Sequence, residues 1–145
     1  MSRDLADRAG DLPASILERS GPLPVGAAIL TPAPNLLSDY LIHVVVLSEE
    51  EPQTSVTVRK GLGNALARAS DLGLESIALP PLGIGVGLTE PEVEASVLVE
   101  ILKEHLDGGY APRLIVLAVT SRFEEELFGS LIRLSGYQWR EEART

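Results

Sequence analysis

The sequence predicts an α/β fold with a largely parallel sheet. Apolar, β-branched runs such as Tyr40 to Leu47 and Arg113 to Val119 alternate with helical stretches. Helix-cap and glycine signals punctuate the boundaries. The composition, 45% apolar and 23% charged over 145 residues, is that of one globular domain, residues 1–145, with no repeat and no internal linker.

The elements follow in order. Residues 1–9 are polar and charged and read as a frayed helix or a disordered start. Asp11 reads as the cap of a short helix with Pro13 in its early turn, Ile16 and Leu17 on its apolar side, and Gly21-Pro22 at its end. Ala27 to Thr31 is a short strand, followed by the loop Pro32-Ala33-Pro34-Asn35. Tyr40 to Leu47 is nearly continuously apolar, as in a strand buried on both faces. An acidic loop, 48–54, leads to a helix from about Ser55 to Leu72. Its apolar stripe is Val58, Leu62, Ala65, Leu66, Ala69 and Leu72, and Gly73 stands where a terminating glycine belongs.

Glu75 to Leu79 is the third strand. Thr89-Glu90-Pro91-Glu92 reads as a capping box opening a helix that buries Val93, Val97 and Ile101 and stops at Asp107-Gly108-Gly109. Arg113 to Val119 is the last strand. A second capping box, Ser121 to Glu124, opens a helix packed through Phe123, Leu127, Phe128, Leu131 and Leu134 and ended by Gly136. The tail, Tyr137-Gln138-Trp139, is either a short added strand or a loose end.

Charge and composition narrow the function. A net charge of −9 without a Lys/Arg cluster speaks against a nucleic-acid binder. A single small anion stays compatible, because backbone amides can hold it locally. The chain has no cysteine, which excludes disulfides, thiolate metal sites and a cysteine nucleophile. Two isolated histidines, His43 and His105, do not suggest a metal site. His43, inside a strand, reads as a hydrogen-bonded core residue, and His105 suits the negative end of a helix. No signal peptide or membrane-length apolar run is visible, so a cytoplasmic location and no membrane partner are expected.

The segment most suggestive of chemistry is 80–88. Strand Ser76 to Leu79 runs into Pro80-Pro81-Leu82-Gly83-Ile84-Gly85-Val86-Gly87-Leu88, with glycines on alternate positions and a helix start directly after. Such a loop brings backbone N–H groups up to a phosphate, since no Cβ blocks the approach. A tight strand-to-helix turn uses glycine as well, and from this loop alone both readings stand. Upstream, Gly26, Ala28, Thr31, Asn35, Leu36, Tyr40, Ile42 and His43 form a second, ungapped pattern.

Together and in this order, the two motifs resemble the macrodomain family of ADP-ribose-binding modules, over roughly Gly10 to Ile132. The resemblance implies a three-layer α/β/α macrodomain-like fold with a reduced, mostly parallel sheet. The family's first two strands find no match. One carries a Gly-Asp pair that grips adenine, the other an Asn that orients the ribose, whose place falls near Arg3. Either those strands were lost, or the start of the chain is set too far downstream. The resemblance also implies that Leu82, Gly83, Ile84, Gly85, Val86 and Gly87 form the diphosphate and ribose loop. The family often has a hydroxyl residue near Ile84 and an aromatic or glycine where Leu88 stands. Phe123 reads either as an adenine-stacking ring or as a core ring against Leu127. Ser121 reads as a helix cap more than as a ligand contact. Asp11 stands where the family prefers glycine, and its carboxylate would repel a diphosphate.

The expected function is binding of ADP-ribose or a related nucleotide diphosphate, weakly and without hydrolysis, with no catalytic residue, no metal and no cofactor assigned. Two alternatives stand beside it. One is an interaction or oligomerisation protein that has lost ligand binding, with a homodimer contact through Leu12, Ile16 and Leu17 or through Tyr137–Trp139. The other is an ADP-ribosyl hydrolase whose true N-terminus lies upstream.

Overall fold

The computed structural model describes residues 3–84 and 89–142. Among them are helices α1 (Arg3–Ala9) and α2 (Asp11–Ser20), strands β1 (Ala28–Pro32) and β2 (Tyr40–Val44), helix α3 (Ser55–Asp71), strand β3 (Ser76–Leu79), helix α4 (Pro91–Asp107), strand β4 (Leu114–Leu117) and helix α5 (Arg122–Leu134). The α/β class and the succession of elements are as expected. The start is helical from Arg3, β1 is shifted one residue onward, and the other three strands are one to three residues shorter than the apolar runs suggested.

The sheet differs from expectation. The strands pair two by two: β1 with β2 antiparallel, β3 with β4 parallel, in separate sheets. The reason lies in the connections. Loop 33–39 is too short for the crossover that parallel strands need, so β1 and β2 must run antiparallel. Helix α4 supplies that crossover between β3 and β4. With two-stranded sheets, β2 is half-buried rather than buried on both faces.

Helix α3 carries the core. Val58, Leu62, Ala65, Leu66 and Ala69 are buried, while Leu72, beyond its last turn, is 54% exposed. Its N-cap is Thr54, whose hydroxyl accepts from the Thr57 N–H while Thr57 returns a bond to the Thr54 N–H. Gly73, with φ of 65°, follows the C-cap in the left-handed region. Val58, Leu62 and Leu66 share one buried cluster with Leu79 of β3, Ala95, Leu98, Val99, Ile101 and Leu102 of α4, and Phe128 of α5. Arg59 of α3 also reaches Glu100 and Glu104 of α4 at 3.1 and 2.9 Å. Exposed pairs of this kind contribute about 0–1 kcal/mol each, so burial rather than charge holds the two helices together.

The expected caps and stripes shift in detail. Gly10, not Asp11, is the N-cap of α2, because a single glycine with φ of 76° separates α1 from α2. Asp11 falls in the first turn, where its charge still suits the helix dipole. The Thr89–Glu92 box does not form: Glu90 is the N-cap of α4. A residue before proline is pushed out of the helical region, and Glu90, at φ −60° and ψ 139°, obeys that restriction. In α4, Val93 is exposed and the buried line runs through Ala95, Leu98, Ile101 and Leu102. In α5, Phe123 and Leu134 are exposed at the two ends while Phe128 is buried.

The tail is neither a strand nor loose. The Trp139 indole donates to the Gly129 carbonyl at 3.2 Å, with Arg133 over the ring at 5.8 Å. Tyr137 donates to Asp107 at 2.7 Å.

Two glycines of α3 make opposite demands. A Cβ at Gly61 would stand 2.6 Å from Cγ1 of Val44, whereas at Gly63 nothing lies within 4 Å. Gly61→Ala is therefore expected to destabilise the fold by about 1–3 kcal/mol through overpacking. Gly63→Ala is expected to stabilise it by about 0.5–1 kcal/mol through helix propensity. Urea denaturation of the two variants checks both signs.

Candidate functional site

The parallel pair β3–β4 builds one rim. Ser76 stands opposite Leu114 and Leu79 opposite Leu117, so both strands end on the same side. The ladder continues one step, with the Ala118 N–H donating to Leu79 at 2.9 Å. The segments after the two strands, 80–84 and 118–122, therefore leave from adjacent points. In open α/β sheets this carboxyl rim is where ligands sit.

After β3, Pro80 and Pro81 offer no N–H, which ends the ladder. Pro81 to Ile84 then form a turn, closed by a 3.4 Å bond from the Ile84 N–H to the Pro81 carbonyl. Gly83 has φ of 93°, the value a type II turn requires at its third position. Leu82 and Ile84 pack against the hydrophobic core, and the Gly83 carbonyl accepts from Gln53 at 2.9 Å. Among the described residues, the N–H groups of Leu82 and Gly83 have no hydrogen-bond partner. The first half of the expected ligand loop is thus anchored by side chains and open at two donors. Gly85, Val86 and Gly87 lie outside the described residues.

After β4, the Ser121 hydroxyl caps α5 by accepting the Glu124 N–H at 3.2 Å. Glu124 reaches back past the cap to the Thr120 N–H, at 2.9 Å, so the reciprocal half of the box is displaced by one residue. Ser121 is thus the N-cap of α5. Phe123 is 53% exposed on the first turn of α5, which removes its core role and leaves an aromatic face open near the rim. Thr120, Ser121 and Arg122 also line an open groove of about 1250 Å³ that runs along β4 between α4, α5 and the tail.

The residues of the upstream motif serve the framework. Thr31, fully buried, pairs with Nε2 of His43 at 2.9 Å, and burial holds the His43 imidazole below its ordinary pKa. Asn35 donates to the Ala9 carbonyl at 3.4 Å, beside Gly10. Gly26, with φ of 92°, closes against the stem of Lys60. His105 donates to the Pro112 carbonyl at 2.9 Å and so fixes the entry to β4. Among the described residues no group of His, Asp and Glu is spaced to hold a metal ion, and no helix is long and apolar enough to cross a membrane. Sequence reasoning missed Gln53, whose only local sign is that it precedes the Thr54 cap.

With this geometry, a family model described as Macro domain matches residues 5–98. A protein of Aeropyrum pernix is 36% identical over 115 residues, covering 77% of this chain and 57% of that protein. One of Aquifex aeolicus is 31% identical over 107 residues, covering 73% and 62%. The chain therefore spans less than two thirds of either relative's length. The solved macro domain of ganglioside induced differentiation associated protein 2 is similar at a TM-score of 0.77 and 19% identity, over 91% of this chain and 67% of that one. A mutant Oceanobacillus iheyensis macrodomain with ADPR gives a TM-score of 0.76 at 20% identity, over 91% and 75%. The macrodomain of that organism with ADP gives 0.75 at 19%, over 90% and 73%.

The depressed His43 pKa has a consequence for stability. The folded state binds a proton at His43 less readily than the unfolded chain does, so this contribution is complete above the unfolded value of about 6.5 and is lost as pH falls through the lower folded value. The melting temperature is expected to fall as pH drops below about 6.5, and His43→Gln is expected to flatten that dependence. Thermal unfolding of both proteins between pH 7.5 and pH 5 checks it.

Proposed function

The chain belongs to the macrodomain family, whose model matches residues 5–98, and from that premise we propose that it binds ADP-ribose or a related nucleotide diphosphate, weakly and without hydrolysing it. The observation that carries the reading is the Pro81–Ile84 turn. It stands on the carboxyl rim of the parallel pair and offers the N–H groups of Leu82 and Gly83, which have no hydrogen-bond partner among the described residues. Solved structures of this fold include macrodomains with ADPR and with ADP. In this reading Leu82, Gly83, Ile84, Gly85, Val86 and Gly87 hold the diphosphate and distal ribose through their backbone, and Phe123 offers its exposed ring to the adenine. Ser121 contributes through the α5 cap. No side chain among these residues is assigned a catalytic role.

A second reading is favoured by the split sheet. Among the described residues strand β4 pairs only with β3, and Leu114 is 53% exposed along the groove beside it. Exposed apolar surface of this kind suits a subunit contact, and a homodimer through Leu12, Ile16 and Leu17 of α2 or through Tyr137–Trp139 accompanies the binding function.

Calorimetric titration with ADP-ribose, with AMP as control, tests the first reading. The wild type is expected to bind ADP-ribose in preference to AMP and to release no ADP-ribose from mono-ADP-ribosylated protein. Gly85→Val is expected to abolish binding with the circular dichroism spectrum unchanged. Unaltered affinity in that variant, or time-dependent release by the wild type, overturns the assignment. For the second reading, light scattering behind a sizing column at tens of micromolar protein should give the dimer mass, and a monomer mass refutes it.

A further inference from the structure

Gln53 lies one residue ahead of the α3 cap and thirty positions before the residue it holds. Its amide nitrogen donates to the Gly83 carbonyl at 2.9 Å in a half-buried setting. On the same peptide unit, the Ile84 N–H is drawn to the Pro81 carbonyl. That unit is therefore held at both ends. Gly83 lies close against α3: a Cβ there would stand 3.0 Å from Nε2 of Gln53 and 3.4 Å from Cγ2 of Val58. Leu82 and Ile84 pack into the core on either side. The donor is braced in turn, since Thr54 next to it is locked by its reciprocal bonds with Thr57.

A peptide unit carries its N–H and C=O on opposite sides, so rotating one unit exchanges a donor for an acceptor on the exposed face. An anion is attracted by the first and repelled by the second. Glycine makes such rotation easy, and Gly83 is the residue of the turn with positive φ. Without a partner for its carbonyl, the Gly83–Ile84 unit would be held only by the 3.4 Å bond of the Ile84 N–H, and the oxygen could turn toward the rim. We infer that Gln53 is a positioning residue for the phosphate-binding loop. It draws the Gly83 carbonyl to the α3 side and so keeps that oxygen from turning to the rim, where it would repel a diphosphate held at the Leu82 and Gly83 N–H groups. The inference rests on the diphosphate reading above. Gln53 acts through the loop and does not itself touch the ligand.

The test is calorimetric titration with ADP-ribose of the wild type, Gln53→Ala and Gln53→Glu, each at pH 8 and pH 5, with folding of every variant checked by circular dichroism. Loss of one such hydrogen bond corresponds to an affinity loss of up to about tenfold, expected for Gln53→Ala at both pH values. Gln53→Glu keeps the shape but, ionised, has no hydrogen to donate and is expected to bind as poorly as Gln53→Ala at pH 8. Beside a carbonyl and half-buried, its carboxyl protonates more readily, so at pH 5 it regains a donor and should return toward wild-type affinity. A purely packing role for Gln53 gives no such recovery. Wild-type binding with unchanged affinity in Gln53→Ala, or a Gln53→Glu deficit that persists at pH 5, overturns the inference and leaves the diphosphate reading intact. Absence of wild-type binding overturns both.

Discussion

Helix α3 can lie on strand β2 only because Gly61 has no side chain, and much of the molecule is placed by that approach. A Cβ there would meet Val44 and Val46 of the strand region and the carbonyl of Val45. On the same turn, the stem of Lys60 covers Gly26, and Asn64 donates to the Gly26 carbonyl at 2.6 Å. One turn of helix thereby grips the end of the antiparallel pair, where the Gly26 N–H is already bound to Val45 at 2.7 Å. Once α3 is seated, its buried line faces α4, and its N-terminus reaches the loop after β3 through Gln53. Framework and candidate site therefore share a single helix.

How legible each part was depends on how local its cause is. The stripe of α3 was readable because it lies on a mixed polar and apolar helix, where the period stands out. Helix α4 is apolar on more than one face, Val93 through Leu102, so several stripes fit and neighbours chose among them. Phe123 and Leu134 belong to the periodic pattern of α5 but sit at its ends, beyond what the core covers. The start of α4 followed from a rule about the residue before proline, which outweighed the capping pattern at Thr89. Strand pairing was the least readable feature, since it depends on which strands meet.

The candidate site divides in the same way. The rim was legible because parallel strands joined by a helix must end together. The turn at Gly83 was legible from glycine and from the two prolines ahead of it. The bond from Gln53 was not, because a side chain that holds a backbone carbonyl thirty residues away leaves no spacing in the sequence. The upstream motif of Gly26, Thr31, Asn35 and His43 announced the family, yet Thr31 and His43 bind each other across the β1–β2 pair, Gly26 accepts from Asn64 of α3, and Asn35 donates to Ala9 of α1. They identify the fold without touching the rim.

The docked tail has an optical consequence. Trp139 is the only tryptophan in the chain, and its ring lies on Gly129, where any larger residue would displace it. The ring borders the groove along β4, with the Arg133 guanidinium above it. Its emission is thus a single-site reporter built into the protein. The signal comes from the seam between the last helix and the tail, and ordering or release of that seam changes the polarity around one indole.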